Sequence, residues 1–469
     1  MLKKRLHTAL KIIVCCFAAQ VTHAQTITIP QDNITGQTDY SVQLGNGTFN
    51  TGLGIVPVIN VQSTTATIPA TNTGPSSPLP LSVVKIRLAS VGGVILLGST
   101  AEITLTTTAQ SIYAALLSIG GGAILNNYRI QIAGNAWLAG TYATNNTYTS
   151  TILTGVNPST QALQINVPGF LTAITSLPTT TVLHVNSLSF FRATAGISAS
   201  NTVSYYTSVP TTVSMRATTA ALSFATTKPY NQLPGTANVS LLNGNITDPL
   251  AGVSSVNLST SDQLLTTSTG LPVVLTNNKS ITSNIGITGA NLTSNFLQAG
   301  TYTVPLVYTI AKPIAAYPAT LSSVTMNTSA QVLIDDLSEL IVQDPSVSLA
   351  FNTAATYKNG VTTQKPNHIK LSATVPYDVT VKASSNFLTS GTGVQIPVGV
   401  ITIEGMPSQT GITPVVLSAT AQKIISSANP GVDRLLNLQY RVPAAQTPNL
   451  LGKTAGTYST TVTYTLVAP

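Results

Sequence analysis

The sequence predicts an all-β chain of three tandem β-sandwich domains, and three observations predict it. First, one phrase recurs. Ala139-Gly140-Thr141-Tyr142 is followed by Tyr148-Thr149, Ala299-Gly300-Thr301-Tyr302 by Tyr308-Thr309, and Ala455-Gly456-Thr457-Tyr458 by Tyr464-Thr465. The copies stand 160 and 156 residues apart, too far for a solenoid repeat and right for a whole domain. Second, the pattern around each copy has period two. Third, turn residues interrupt many short alternating runs, and no sustained helical period appears.

The chain opens with the pattern of an export signal. Lys3, Lys4 and Arg5 precede an apolar run from Ile12 to Ala19, and Thr22-His23-Ala24 supplies the small residues of a cleavage site, so residues 1–24 are expected to leave. The run is shorter than the roughly 20 apolar residues that a membrane span needs, and no membrane span is expected later. Both cysteines, Cys15 and Cys16, lie in this leader. A cysteine-free mature chain has no disulfides, thiol catalysis or thiolate metal sites, so core packing must supply its stability.

Charge is scarce. Only 7% of residues are Asp, Glu, Lys or Arg, against about 25% in ordinary globular chains. Loss of Lys3, Lys4, Arg5 and Lys11 lowers the balance from +8 to +4. No basic run or basic-aromatic patch remains, so no nucleic acid is expected as a partner. Thr, Ser, Asn and Gln must cover the surface instead.

Expected elements follow in chain order. The first unit spans 25–158. Within it Tyr113 to Ile119 could form a short helix, and Gly120-Gly121-Gly122 reads as a loop without the lysine or helix start of a phosphate cradle. Its tyrosine strand is the weakest of the three, because Asn145-Asn146 interrupts the apolar face. The second unit spans 159–325 and has a complete apolar face in Tyr302, Val304, Leu306, Tyr308 and Ile310. Pro305 lacks an amide proton, which suggests an edge position. Pro313, Pro318 and a Ser/Thr-rich stretch near residue 320 mark the next linker. The third unit spans 326–469 and buries Tyr458, Val462, Tyr464 and Leu466 on one face. In each unit an alternating strand and a bulky apolar pair (Trp137-Leu138, Phe296-Leu297, Leu450-Leu451) precede the phrase, and the pair plugs the core. Thr212 to Ala217 and Asp378 to Ala383 are further matched strands.

Chemistry-bearing residues are few. His184 and His368 lie in different units without acids beside them in sequence, and a histidine-based triad needs a base, a carboxylate and a nucleophile within hydrogen-bond reach. Asp335, Asp336, Glu339 and Asp344 cluster near the second junction. They offer either a calcium site that stiffens it or a solvated linker. The stretch Val167-Pro168-Gly169-Phe170-Leu171 holds the comparable place before the second unit and carries no acids. Glu102, Glu404 and Asp433 stand alone in sequence, where glycoside cleavage needs a carboxylate pair. Trp137, the sole tryptophan, reads as core. No residue is assigned a catalytic, cofactor-binding or metal role, no cofactor is expected, and the chain is not expected to be an enzyme.

The closing run Ala455-Gly456-Thr457-Tyr458-Ser459-Thr460-Thr461-Val462-Thr463-Tyr464-Thr465-Leu466 resembles the last strand of exported bacterial surface and pilus-like proteins, including the spore coat U and chaperone–usher fimbrial groups. The resemblance implies three tandem immunoglobulin-like β-sandwich domains after a signal peptide. It also implies subunits completed by a strand from a neighbour. The chain departs from those groups in lacking a cysteine pair, in repeating the phrase internally and in ending Ala468-Pro469, and no donor strand is assignable. The expected function is that of a secreted cell-surface structural or adhesive protein. The expected partners are copies of itself, other surface proteins or glycan; the alternative is a secreted carbohydrate-binding module or glycan-active enzyme.

Overall fold

The computed structural model describes residues 24–71, 77–96, 98, 100–151, 155–247, 255–314 and 316–469. The expected leader 1–23, with Cys15 and Cys16, lies outside them. The chain is nearly all β, with 51% strand and 9% helix, as its alternation predicts. Buried side chains gather in three hydrophobic cores. One draws on residues between Ile27 and Phe170, one on residues between Leu177 and Ile334, and one on residues between Ile369 and Val442, with Tyr458, Val462, Tyr464 and Leu466 packed against it. Each of the first two cores is flanked by a five-stranded and a six-stranded sheet, and the third by a five-stranded and a three-stranded one.

The tyrosine strands organise the pattern. Gly140–Ser150 lies between Val58–Ser63 and Thr160–Val167, and Gln25–Thr28 runs parallel to the latter at the edge. Gly300–Ala311 lies between Thr212–Ala217 and Val324–Ile334, with Thr181–Val185 parallel at the edge. Each of these cores therefore closes on a strand that follows the tyrosine strand. Thr160–Val167, beyond the junction expected at 158, packs in the first core, and Val324–Ile334, across the one expected at 325, packs in the second. Pro313, Pro318 and the stretch near residue 320 form the loop between two paired strands. Chain alternation cannot say which sheet a strand joins; pairing across the sheet decides it.

Four expectations change. Tyr113 to Ile119 is not helical; strands Gln110–Ala114 and Leu117–Ile130 cover most of it. The run Gly120-Gly121-Gly122 lies within Leu117–Ile130, where a Cβ on Gly122 would stand 2.8 Å from the Gly92 Cα. Only glycine permits that approach. The Asn145-Asn146 pair does not interrupt its strand: Gly140–Ser150 runs through it, with Asn146 buried opposite Gln161. Pro305 lies in a central strand. Its neighbour on one side changes from Thr212–Ala217, which reaches Leu306, to Ser223–Ala225, which begins opposite Thr303. The proline occupies that gap, where no ladder bond is lost.

Trp137 and Phe296 are fully buried and plug their cores as expected, and the Trp137 indole donates to the Ile132 carbonyl at 3.0 Å. The third pair differs, since Leu451 is exposed.

Candidate functional site: an uncovered strand edge

The repeated phrase builds a corner. Its first tyrosine reaches back four residues and donates to a carbonyl: Tyr142 to Leu138 at 2.9 Å, Tyr302 to Gln298 at 3.5 Å, Tyr458 to Thr454 at 2.7 Å. Tyrosine corners of this kind tie strand to crossover in Greek-key sandwiches. Gly300 enters the strand at φ 146, and a Cβ there would stand 2.7 Å from the Ala225 carbonyl oxygen. The second tyrosine meets the facing sheet in two cores, Tyr148 with Tyr128 at 3.1 Å and Tyr464 with Tyr440 at 2.6 Å. Burial pushes the Tyr440 phenol up to about 12 and the Tyr148 phenol well above its usual value, so both stay neutral.

The third copy departs from the first two at its strand. Its strand, Val462–Val467, pairs with Tyr377–Ala383 on one edge, and among the described residues nothing pairs with the other. The uncovered edge is the one that Thr160–Val167 and Val324–Ile334 fill in the other cores. Burial agrees. Tyr302, Leu306, Tyr308 and Ile310 are at most 1% exposed, whereas their counterparts Tyr458, Val462, Tyr464 and Leu466 are only partly buried. Val347, Leu349 and Phe351 also pack on this core with alternate side chains, yet join no ladder. They resemble the parallel edge strands of the other cores with the intervening strand missing. An edge with free amides and carbonyls above apolar floor residues is a template for another strand.

The charged residues singled out from sequence do not form a reaction centre. Asp335, Asp336, Glu339 and Asp344 go to four different partners: His184 at 2.9 Å, Lys228, Arg192, and Lys365 at 2.5 Å. Among the described residues no group of three or more His, Cys, Asp or Glu could hold a metal ion. His184 and Asp335 meet at the surface, both side chains partly exposed. His368 is buried against Tyr440 at 2.8 Å, and burial lowers its pKa. Glu102 pairs with Arg129, which lowers the carboxyl's pKa, and Glu404 accepts from Gln439 at 2.7 Å. Asp433, isolated in sequence, lies between Arg192 at 2.7 Å and Lys370 at 3.0 Å. Arg192 chiefly holds its carboxyl below the usual range.

These contacts show how the cores are joined. Between the second and third, Arg192 bridges Glu339, Asp433 and Ser372, Lys228 meets Asp336, and the Tyr230 hydroxyl bonds the Ala299 and Thr374 carbonyls. Between the first and second, neutral groups do this work. The Asn277 side chain, buried at a backbone φ of 56, accepts from the Trp137 amide at 3.1 Å and donates to the Trp137 and Thr207 carbonyls at 2.8 Å. Sequence reading missed Arg192 and Asn277, since neither stands in a motif.

No family model matches the chain, and no curated protein matches it in sequence. Among solved structures it is similar to CfaE, the adhesive subunit of the CFA/I fimbria of enterotoxigenic Escherichia coli, at 13% identity and TM-score 0.29 over 66% of this chain and 97% of that one. It is also similar to a chain of the CsuC–CsuE chaperone–tip adhesion subunit complex from the archaic chaperone–usher Csu pili of Acinetobacter baumannii, at 16% identity and TM-score 0.31 over 63% and 99%. The CupB6 tip adhesin of Pseudomonas aeruginosa gives 10% identity and TM-score 0.28 over 63% and 91%. Likeness at this level carries no argument about what this chain does. No helix among the described residues is long and apolar enough to cross a membrane.

Proposed function

We propose that this chain is an exported bacterial surface subunit, structural or adhesive, that joins an assembly by accepting a β-strand from a neighbouring subunit. Its three cores are three domains, with junctions at residues 168–170 and 335–337 and a leader at 1–24. The uncovered edge of Val462–Val467 carries the reading: two cores are closed by a strand whose counterpart no described residue supplies to the third. The occupant is an extended segment with alternating apolar side chains. Main-chain hydrogen bonds to the edge hold it, and the half-covered tyrosine face selects its side chains. The carboxylates are taken up in ion pairs with Arg and Lys, which favours contact over turnover as the mode of action.

The test is hydrogen exchange on the protein taken from cells, in its native assembly, against the purified single chain. Amides on the open edge of 462–467 should exchange freely in the single chain and be protected in the assembly. Cell fractionation should place that assembly outside the cytoplasm. Equal protection in both states, or a cytoplasmic protein, would refute the proposal.

A further inference from the structure

The two junctions are built by different side chains but share one backbone device. Where the second domain follows the first, the Ala139 amide donates to the Ser208 carbonyl at 2.7 Å. Ser208 then closes on the linker: its amide donates to the Phe170 carbonyl at 3.1 Å, its hydroxyl accepts from the Phe170 amide at 2.9 Å and donates to the Pro168 carbonyl at 2.8 Å. Where the third follows the second, each bond recurs. The Ala299 amide donates to the Thr374 carbonyl at 2.8 Å. The Thr374 amide reaches the Leu337 carbonyl at 2.9 Å, and its hydroxyl accepts from the Leu337 amide at 2.8 Å and donates to the Asp335 carbonyl at 2.7 Å.

One half of this joint is the Ala-Gly-Thr-Tyr phrase of the preceding domain. The other half is a bend in the next domain, Ser208-Val209-Pro210 or Thr374-Val375-Pro376, with its hydroxyl fully buried. The strand that closes the preceding domain ends opposite the phrase, Val167 against Gly140 and Ile334 against Gly300. Three linker residues later the chain meets the bend. Ala139 and Ala299 are buried by this docking, and Ala455, the third copy, is exposed.

We infer that the exposed phrase at Ala455 is the seat for the Ser/Thr-Val-Pro bend of the neighbouring subunit. The joint between subunits then repeats the joint inside the chain. This rests on the strand-accepting function proposed above. A donated strand running antiparallel to Val462–Val467, as the two internal closing strands run against theirs, leaves the edge at Gly456. Its linker there delivers the next domain onto Ala455. The partner is thereby specified: a closing strand, three linker residues, then a sandwich domain with a hydroxyl residue before Val-Pro at the end of an early long strand. Position replaces affinity as the source of the angle, because one buried hydroxyl ties the linker twice.

The test extends the full chain by repeating residues 312–469 after Val467. The added strand 324–334 can then close the third domain, and the added bend can dock on Ala455. Two readouts separate the claims. Hydrogen exchange at 462–467 reads strand closure; electron microscopy of single particles reads the angle between the third and added domains. Closure with one fixed angle, equal to that between the second and third domains, is the expected result. Thr374→Val in the added copy alone should keep closure and spread the angle. Closure with a freely swinging added domain would overturn the inference and leave the strand-accepting function standing. Absence of closure would overturn both. Ser208→Ala and Thr374→Val in the unextended chain test the device independently: each should broaden its own junction, and unchanged angles in both would also overturn the inference.

Discussion

If the edge of the third domain is uncovered, the same truncation should cost different amounts in two equivalent strands. Ile310 and Leu466 stand ten residues after Gly300 and Gly456. Ile310 is 0% exposed, and Leu466 is partly buried. Ile310→Ala removes a fully packed side chain and leaves a cavity, worth about 2–5 kcal/mol. Leu466→Ala removes a group already partly in water, worth about 1 kcal/mol or less by its lower buried area. A peptide of residues 324–334, the strand that closes the second core, should change this balance. In the second core Val324 faces Ile310 and Ile334 faces Gly300, so in the third the peptide places Val324 against Leu466. At a hundredfold excess over its Kd it should raise the stability of the third domain by about 2.7 kcal/mol. The truncation should then weaken peptide binding by about tenfold, the equivalent of about 1.4 kcal/mol. Native-state hydrogen exchange reads each domain's stability separately, and peptide titration reads Kd. Equal costs for Ile310→Ala and Leu466→Ala without peptide would refute the reasoning, as would a peptide that leaves exchange in the third domain unchanged.

The corners give a second contrast. Tyr142→Phe should cost about 1 kcal/mol in denaturant melts by orphaning a buried bond to the Leu138 carbonyl, whereas water can replace the Tyr458 bond and Tyr458→Phe should cost under about 0.5 kcal/mol. In the first core Asn46, fully buried, donates to Tyr128 and Tyr148 at 2.8 Å and to Gln161 at 3.0 Å. Asn46→Ala should destabilise that core by about 1–3 kcal/mol, measured by chemical denaturation, through the buried hydrogen bonds it removes. The junctions should respond differently to acid. The Asp433 pKa is depressed in the folded chain, so its stabilisation is present above the unfolded value of about 3.9 and is lost as pH falls through the folded value. Small-angle scattering between pH 7 and pH 3 should show the second junction loosening below about pH 4 while the amide-built first junction keeps its angle.

Strand content, the inward face of each ribbon and the recurrence of the glycine-tyrosine phrase were all legible in sequence, because alternation along one strand is a local property. Junction placement was not, because it depends on which strand pairs with which, and Thr160–Val167 carries no mark of the sheet it joins. The acids near residue 335 looked like one cluster in sequence; folding sends their side chains to four different partners, His184 and Lys365 on strands, Arg192 in a short helix and Lys228 in a loop. A legible signal was also passed over. Thr207-Ser208-Val209-Pro210 and Ala373-Thr374-Val375-Pro376 repeat a hydroxyl residue before Val-Pro, and that repeat marks the joint.

By itself, the sequence determined that this protein is a set of related β modules, because period-two burial and a recurring glycine-tyrosine corner are written residue by residue. Only the tertiary structure decided that the modules are unequal. An uncovered edge is the lack of a partner across a sheet, and which strand bonds to which is not written in the residues of either one.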